Sequence, residues 1–298
     1  MSVMVIGSAN MDMVMNTSKI PEAGETVQGN GFFLMSGGKG ANQAVACARM
    51  GATTHLLGKV GDDIFGQSIR DSLARFGVQQ QFLATESGVT TGVAAITVHE
   101  GNNRIILDRG ANGYVKPDYL EQYRSDIESA SAIMLQLEIP LETVIRAIEI
   151  AKGKVPIFLN PAPAVPLDDE LLAGIDYFTP NEIECRMYTG INIVEPKDAF
   201  TALERLRSKG IRHPIVTLGE KGVAYHDGTK PVHHAGRKVT AVDSTAAGDT
   251  FSGALAAMIV AGKPLDEAVD IAQRAAAISV TRKGAQSSIP TLPEVLSF

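Results

Sequence analysis

Short apolar runs alternate with segments of helical period along this chain, and this alternation limits its fold more than any other feature. Buried strands are predicted at Val3–Ile6, Ala132–Leu137, Pro156–Asn160, Asp176–Pro180 and Pro214–Leu218. Apolar residues recur at helical spacing between these runs. Helices are predicted around Ala41–Ala48 and at Leu141–Lys152, Pro196–Lys209, Gly248–Ala261 and Leu265–Arg282. The pattern predicts a three-layer αβα sandwich with a mostly parallel central sheet, which binds ligands beyond the carboxyl ends of its strands.

Two segments depart from this alternation of strands and helices. Residues 26–36 and 92–109 have strand character without intervening helices, and the second contains a Gly-Asn-Asn turn typical of a hairpin. We interpret them as a small β-sheet inserted into a single domain of residues 1–298, with inserted strands at about 12–36 and 92–110. An open sheet has edges and an apolar face to cover, so it suits a lid, a dimer contact or both.

Composition excludes several classes of partner. A formal net charge of −6 and the absence of a basic run argue against nucleic-acid binding. No apolar run is long enough to span a bilayer, and no N-terminal segment resembles a signal peptide. Cys47 and Cys185 fall in predicted helices, which favours buried thiols over a disulfide or a metal site. We therefore expect a cytoplasmic protein with no membrane partner.

The segment Ser36–Ala44, SGGKGANQA, resembles a phosphate-binding P-loop but does not match it. Phe33 stands at the first glycine position, and Gly40 follows Lys39 where a hydroxyl residue is required. What remains is a glycine turn that opens a helix, with Lys39 and Asn42 near its start. A polyol could lie against this backbone, or the turn could be purely structural. A dinucleotide-binding fold is excluded, because no Gly-x-Gly-x-x-Gly turn follows a strand.

Polar residues follow several of the predicted strands. Asn10 and Asp12 share a face of an extended segment, which suits vicinal hydroxyl groups or an Asx turn. Glu138 either holds a hydroxyl group or is solvated. Asn181 and Glu184 share a face if a helix begins there. They are then a helix cap with a first-turn acid, or they meet phosphate oxygens directly or through hydrated Mg²⁺.

The segment Asp243–Phe251, DSTAAGDTF, places two acids around small residues before a helix. Asp is a common helix cap, but bare N–H groups at a helix start also form an anion site. Gly248 leaves that backbone open to a transferring phosphoryl group, and Asp249 could accept a proton from an attacking hydroxyl group. Asp243 has a structural or cation-linked role. A strand and a glycine turn at Val216–Gly222 could approach a nucleotide closely.

Eight motifs together resemble the ribokinase (pfkB-type) family of carbohydrate kinases, in family order and over essentially the whole chain. They are GSANMD, GGKGANQA, MLQLE, NPAPA, TPNEIE, TLGEKG, DSTAAGDTF and TRKGAQSSIP. The resemblance implies transfer of the ATP γ-phosphoryl group to the 5-hydroxyl of D-ribose, giving ribose 5-phosphate and ADP. The alternatives are a kinase of the same family for deoxyribose, another sugar or a nucleoside, and a catalytically silent sensor, against which the retained Asp249 counts.

The resemblance also implies roles for particular residues, with Asp249 as the catalytic base. The expected anion hole consists of Ala246, Ala247 and Gly248. The expected sugar-binding residues are Asn10, Asp12, Gly38, Lys39, Asn42, Glu138 and Asp249. The expected nucleotide-side residues are Asn181, Glu184, Thr217, Gly219, Gly222, Gly248 and Gln273, with Gln273 near the adenine and Glu184 acting on Mg²⁺ mostly through water. The expected monovalent-cation loop contains Asp243, Thr245, Ser279, Arg282, Gly284 and Ser288. K⁺ there would hold the anion-hole turn in shape, and the small sheets of two chains would pair in a homodimer.

Overall fold

A computed structural model describes residues 2–100 and 102–298 of the 298-residue chain. The strands are β1 Ser2–Ile6, β2 Asn10–Thr17, β3 Gly29–Gly37, β4 Thr53–Gly61, β5 Leu83–Glu86, β6 Gly92–His99, β7 Asn102–Asp108, β8 Ala132–Leu135, β9 Ile157–Leu159, β10 Tyr177–Phe178, β11 His213–Thr217, β12 Val223–His226 and β13 Pro231–His234. The helices are α1 Lys39–Arg49, α2 Ile64–Arg75, α3 Pro117–Glu121, α4 Arg124–Ser129, α5 Leu141–Ala151, α6 Asp169–Leu172, α7 Glu182–Thr189, α8 Pro196–Ser208, α9 Ala247–Val260, α10 Leu265–Ser279 and α11 Leu292–Ser297. Within these residues, no helix is both long enough and apolar enough to cross a bilayer.

The large sheet has nine strands in the order β13-β12-β11-β10-β9-β8-β1-β4-β5. The run from β11 to β5 is parallel, and β12 and β13 are antiparallel additions at one edge. The prediction of a mostly parallel sheet is therefore confirmed. The five strands predicted from sequence are β1 and β8 to β11, which are contiguous at the centre of this sheet.

Helices cover both faces of the large sheet. Val3 and Val5 of β1 belong to one apolar core, which includes buried residues of α1, α9 and α10. Met4 and Ile6 belong to the other core, with buried residues of α5, α7 and α8. Because successive side chains of a strand point to opposite faces, β1 supplies apolar residues to both cores. The predicted three-layer αβα sandwich is confirmed.

Four central strands end at the same level of the sheet. Ile6 pairs with Leu135, Leu135 pairs with Leu159, and Leu159 pairs with Phe178. The residues that directly follow these positions therefore emerge along one edge. The predicted strand at Ala132–Leu137 is two residues too long, since β8 ends at Leu135. Glu138 thus lies in the loop beyond the strand.

The smaller sheet has the order β3-β2-β6-β7. It is separate from the large sheet, as the irregular segments of the sequence predict, although β3 begins at Gly29 rather than Thr26. β6 and β7 form an antiparallel hairpin in which His99 pairs with Asn102. Gly101 of the predicted Gly-Asn-Asn turn lies outside the described residues. The turn after β1 leads directly into β2, and β3 leads into α1. The smaller sheet therefore joins the large one at the carboxyl end of β1, the edge at which ligand binding is predicted.

Candidate active site

The turn before α9 exposes backbone N–H groups to a cleft. Ala246 has a left-handed backbone with φ of 59°, and the first helical bond runs from Thr250 N to the Ala246 carbonyl at 2.8 Å. Across the residues that the structure describes, the N–H groups of Gly248 and Asp249 have no protein acceptor. A Cβ at Gly248 would meet no atom within 4 Å. These open donors lie at the positive end of the helix dipole, so the turn has the geometry of an anion site.

Asp249 is a buried carboxylate at the start of α9. Asn42 Nδ2 donates to its Oδ2 at 3.0 Å, and Gln43 Nε2 donates to its Oδ1 at 2.9 Å. Both amides come from α1, which packs closely on α9 at Gly253. A Cβ at Gly253 would lie 2.5 Å from Ala46 Cβ and 2.6 Å from the Gln43 carbonyl oxygen. The close approach of the two helices therefore positions the amides on the carboxylate.

A chain of buried amides continues behind Asp249. Gln136 Nε2 donates to Gln43 Oε1 at 2.6 Å, and Gln43 Nε2 also donates to Asn160 Oδ1 at 3.2 Å. Asn160 Nδ2 donates to the Thr179 carbonyl at 2.8 Å. The sequence analysis assigned no role to Gln43, Gln136 or Asn160. Gln136 and Asn160 directly follow β8 and β9, and an amide at the end of a buried apolar strand is the signal that could have found them.

Asp12 of β2 faces the same region. Its carboxylate lies against the backbone of Gly37, where a Cβ would be 2.3 Å from Asp12 Oδ2. Burial raises the pKa of Asp12 to about 7, and the carboxylates of Glu138 and Asp249 add to this shift, while Lys39 opposes it. Four predicted residues are thus close enough to interact electrostatically.

Glu138 is half-buried and held in place. Its Oε2 accepts hydrogen bonds from Ser8 Oγ at 2.5 Å and from the Lys39 backbone N–H at 3.0 Å. Burial acts to lower the pKa of Lys39, but the carboxylates of Asp249, Glu138 and Glu184 outweigh it and raise the pKa. Lys39 therefore keeps its positive charge between these carboxylates.

Asn10 is oriented by a residue that the sequence analysis missed. Asn112 Nδ2 donates to Asn10 Oδ1 at 2.7 Å, and the same side chain bonds the backbone N–H and carbonyl of Ala9. Gly38 has a left-handed backbone with φ of 87°, and a Cβ there would lie 2.7 Å from Asn10 N. Only glycine allows this close contact. The structure thus holds Asn10 beside the glycine turn that opens α1.

A cavity of about 210 Å³ lies in front of Asp249. It is lined by Lys39, Asn160, Ala162, Thr179, Asn181, Glu184, Thr217, Ser244, Ala246, Ala247, Gly248, Asp249 and Ser252. Asn181 and Glu184 form a capping box on α7, so the helix-cap interpretation is confirmed. Burial raises the pKa of Glu184, against the opposing effects of the Asn181 N–H and Lys39. The capping box therefore also presents polar groups to the cavity.

A second cavity, of about 790 Å³, adjoins the first. It contains all but one of the predicted nucleotide-side residues, namely Asn181, Thr217, Gly219, Gly222, Gly248 and Gln273. The remaining one, Glu184, lines the smaller cavity. Gln273 Nε2 donates to the Ala235 carbonyl at 2.8 Å, whereas its Oε1 is buried without a partner in the described part of the chain. The wall of the larger cavity combines apolar side chains such as Phe251 and Val280 with charged ones such as Lys221 and Arg237.

The predicted cation loop is tied to the anion-site turn by Asp243. Its Oδ1 accepts from the backbone N–H and Oγ1 of Thr245 at 2.9 and 2.6 Å, and its Oδ2 accepts from Gly284 N at 2.9 Å. Burial opposes ionisation, but these hydrogen bonds outweigh it and lower the pKa of Asp243. Arg282 directs its guanidinium to Glu294 at 2.8 Å, so only its backbone is available to the loop. The hydroxyl groups of Ser279 and Ser288 donate to the carbonyls of Ala276 and Ala285.

The chain is similar to known carbohydrate kinases over nearly its whole length. The model of the pfkB family of carbohydrate kinases matches residues 1–292. The chain is 42% identical to a ribokinase of Haemophilus influenzae, covering 99% of this chain and 97% of that protein. It is 37% identical to a deoxyribokinase of Salmonella typhimurium, with the same coverage. The structure of Arabidopsis thaliana ribokinase complexed with ribose and ATP superposes with a TM-score of 0.93 at 32% identity, covering 99% of this chain and 97% of that one. The chain therefore belongs to the pfkB family of carbohydrate kinases, as the order of its motifs predicts.

Proposed function

We propose that this chain transfers the γ-phosphoryl group of ATP to the 5-hydroxyl of D-ribose, giving ribose 5-phosphate and ADP. The observation that carries the proposal is the position of Asp249, beside the open N–H groups of α9 and against the smaller cavity. Ribokinases at about 40% identity over the full chain support ribose as the acceptor. The ribose and ATP in the similar Arabidopsis structure support the pair of substrates.

The chemistry follows from this arrangement. The ribose hydroxyl oxygen attacks the γ-phosphorus, its proton passes to the Asp249 carboxylate, and the bond to the bridging oxygen breaks with its electron pair leaving on ADP. The N–H group of Gly248 and the ammonium group of Lys39 offset negative charge on the transferring phosphoryl group. A silent sensor would not need a buried carboxylate at this point.

The sugar would be held by groups that the protein leaves open. Asn42 Oδ1 is buried without a partner in the described residues, so it can accept a bond from a hydroxyl group. Asp12 and Glu138 supply further acceptors, and Asn10 faces the same side of the turn at Gly38. A neutral polyol with several hydroxyl groups satisfies such a set of acceptors.

Ribose and deoxyribose differ by one hydroxyl group, and a deoxyribokinase is among the relatives. Loss of that group leaves a buried acceptor unpaired, which costs roughly 1–3 kcal/mol. The test is ADP release with ATP and Mg²⁺ on a panel of ribose, 2-deoxyribose, fructose and a nucleoside. Ribose should have the highest kcat/KM. A preference for another sugar would reassign the substrate, and no ADP release with any sugar would favour the sensor.

Magnesium would enter with ATP. Within residues 2–100 and 102–298, no group of three His, Cys, Asp or Glu side chains could hold a metal ion by itself. The buried Glu184 and the adjacent Asn181 fit a hydrated ion that takes its other ligands from phosphate oxygens. The ion would neutralise charge on the β- and γ-phosphates.

We also propose a K⁺ site at the loop tied by Asp243. An ionised carboxylate at a turn of backbone carbonyls suits a monovalent cation, and the same carboxylate holds Thr245 and Gly284. A cation there would stabilise the turn at Ala246 without contacting substrate. The turn supplies the donors of the anion site, so K⁺ should activate the enzyme.

The smaller sheet would act as a lid of the single domain of residues 1–298 and as a dimer contact. Phe33, Val14, Ile96 and Ile105 pair in one row across its four strands, and this row is on the face that carries Asp12. Phe33 and Ile105 are 43% and 58% exposed. A second copy of this sheet would cover the row and close the cleft from water.

A cytoplasmic location is consistent with these substrates. Cys47 and Cys185 are both buried free thiols, as the sequence predicts. Free thiols are typical of a reducing compartment, where ATP is also available.

A further inference from the structure

Gln43 donates a hydrogen bond to the proposed catalytic base, Asp249, and Gln43 itself lies where no ligand can reach it. Its side chain is fully buried, and its Nε2 lies 2.9 Å from Asp249 Oδ1. The other donor, Asn42, has an Oδ1 without a partner among the residues that the structure describes, and it belongs to the proposed sugar site. Sugar binding can therefore change the contact of Asn42, whereas the contact of Gln43 stays the same.

The direction of the Gln43 amide is fixed from both sides. A carboxylate only accepts hydrogen bonds, so Nε2 must face Asp249 and Oε1 must face the opposite way. There Gln136 Nε2 donates to Oε1 at 2.6 Å. A flipped Gln43 would direct its oxygen at the carboxylate and its NH₂ group at that of Gln136. Both new contacts would be repulsive.

A backbone carbonyl orients the Asn160 amide, and the bond to Gln43 orients the Gln136 amide. Gln136 and Asn160 follow the paired residues Leu135 and Leu159, which are both fully buried. Gln136 Oε1 lies against Gly7, where a Cβ would be 2.0 Å away, and it has no hydrogen-bond partner among the described residues, so only the bond of Nε2 to Gln43 orients this amide. On the other side, Asn160 Nδ2 donates to a backbone carbonyl, which also only accepts. The chain of amides therefore has one arrangement.

We propose that Gln43, oriented by Gln136, is a positioning residue that holds the Asp249 carboxylate ready to accept the proton of the sugar hydroxyl. This inference rests on the proposed kinase function. In the free enzyme, Asn42 and Gln43 both hold the Asp249 carboxylate in place. In the sugar complex, Gln43 keeps Oδ1 fixed while Oδ2, on the side of Asn42, meets the hydroxyl group. Gln43 thus acts through Asp249 and does not touch substrate.

The test uses Gln43→Met and Gln136→Met, which keep side-chain length but remove the amide. Gln43→Met should lower kcat by roughly 10- to 100-fold, by analogy with the loss found when the hydrogen-bond partner that orients a metal ligand is removed. The KM for the sugar and the Kd of a non-hydrolysable ATP analogue should stay close to wild type. Gln136→Met should lower kcat less, because Gln43 loses its orienting donor but keeps its bond to Asp249. Gln80→Met, which removes a bond to the Arg70 carbonyl of α2, is the control for loss of a glutamine amide elsewhere and should leave kcat unchanged.

A double-mutant cycle separates positioning from general support of the fold. In the Asp249→Ala background, Gln43→Met should cause no further loss of kcat, because the base that it orients is gone. A further loss equal to that in the wild type would overturn the inference, as would a wild-type kcat in Gln43→Met. If Gln43→Met does not fold, Gln136→Met decides by the same cycle. Failure of the proposed function is distinct, because the wild type would then release no ADP with any sugar.

Discussion

Gly248→Ala should separate catalysis from stability. Gly248 has no left-handed backbone, and an added Cβ would meet no protein atom within 4 Å. Alanine is favoured over glycine within a helix by up to about 1 kcal/mol. The position lies in the first turn of α9, so the free energy of unfolding should stay the same or rise by less than this amount.

Activity should change in the opposite direction. Gly248 lines both cavities, so the added methyl group would occupy space through which the phosphoryl group reaches the backbone N–H groups. Loss of one donor to a developing charge costs roughly 2.7–4 kcal/mol, or 10²- to 10³-fold in kcat. We expect a loss of this size in steady-state ADP release, with a midpoint of unfolding in urea that is unchanged or slightly higher.

Gly253→Ala in the same helix is the matched control. Its Cβ would lie 2.5 Å from Ala46 Cβ, so it should lower the free energy of unfolding by about 1–3 kcal/mol through overpacking. Wild-type kcat in Gly248→Ala would refute the assignment of the phosphoryl site to the start of α9. Unfolding of Gly248→Ala together with a stable Gly253→Ala would refute the packing of α9 itself.

Four further predictions concern single groups. Asp249→Ala should lower kcat by roughly 10²- to 10⁴-fold while sugar affinity and fold persist, and unchanged turnover would remove it as the base. The pKa of Asp12 rises from 3.8 to about 7 on folding. Between these pH values the folded protein keeps a proton that the unfolded chain has lost, so the free energy of unfolding falls as the pH rises from 3.8 to about 7. Asp12→Asn should therefore raise Tm most above this range, and an equal effect at all pH values would contradict that pKa. Activity should be higher in K⁺ than in Na⁺, and Asp243→Ala should abolish the difference, whereas equal wild-type rates in the two salts would discard the cation site. Ile105→Lys should convert the proposed dimer to a monomer in light scattering, whereas Ile183→Lys, at an 80% exposed position on α7, should not. A wild-type mass for Ile105→Lys would exclude the face of the smaller sheet that carries Ile105 as the dimer contact.

The centre of the fold could be predicted because its strands are buried on both faces. β1, β8 and β9 are continuous apolar runs, which is the pattern of a parallel strand between two layers of helices. β4 was missed because Thr53, His55 and Lys59 interrupt its apolar residues. These side chains are not fully buried, so β4 lacks the uninterrupted pattern that marks the central strands. β5 (LATE), β12 (VAYH) and β13 (PVHH) were missed because polar or ionisable residues leave none of them a continuous apolar run of four residues.

The site was only partly predictable, because some of its contacts join segments that are distant in the sequence. Asp12 and Glu138 were found because they follow predicted strands, and Asp249 was found because it lies beside small residues at the start of a predicted helix. Gln43 is adjacent to Asn42 on α1, and nothing in the sequence shows that Gln43 also reaches Asp249. That contact depends on the close approach of α9 at Gly253, which is a tertiary fact. The same holds for Asn112, whose contact with Asn10 joins residues 102 positions apart.

The charged residues of the site do not stabilise the fold, because burying their carboxylates is unfavourable. Four carboxylates, those of Asp12, Glu138, Glu184 and Asp249, surround the single ammonium group of Lys39. Burial is the main cause that raises the pKa of Asp12 and of Glu184, so keeping either group ionised acts against folding. The two apolar cores must offset this cost. Hydroxyl groups of a sugar and a magnesium ion would satisfy the same carboxylates, so substrate binding would recover part of the free energy that burying these groups costs.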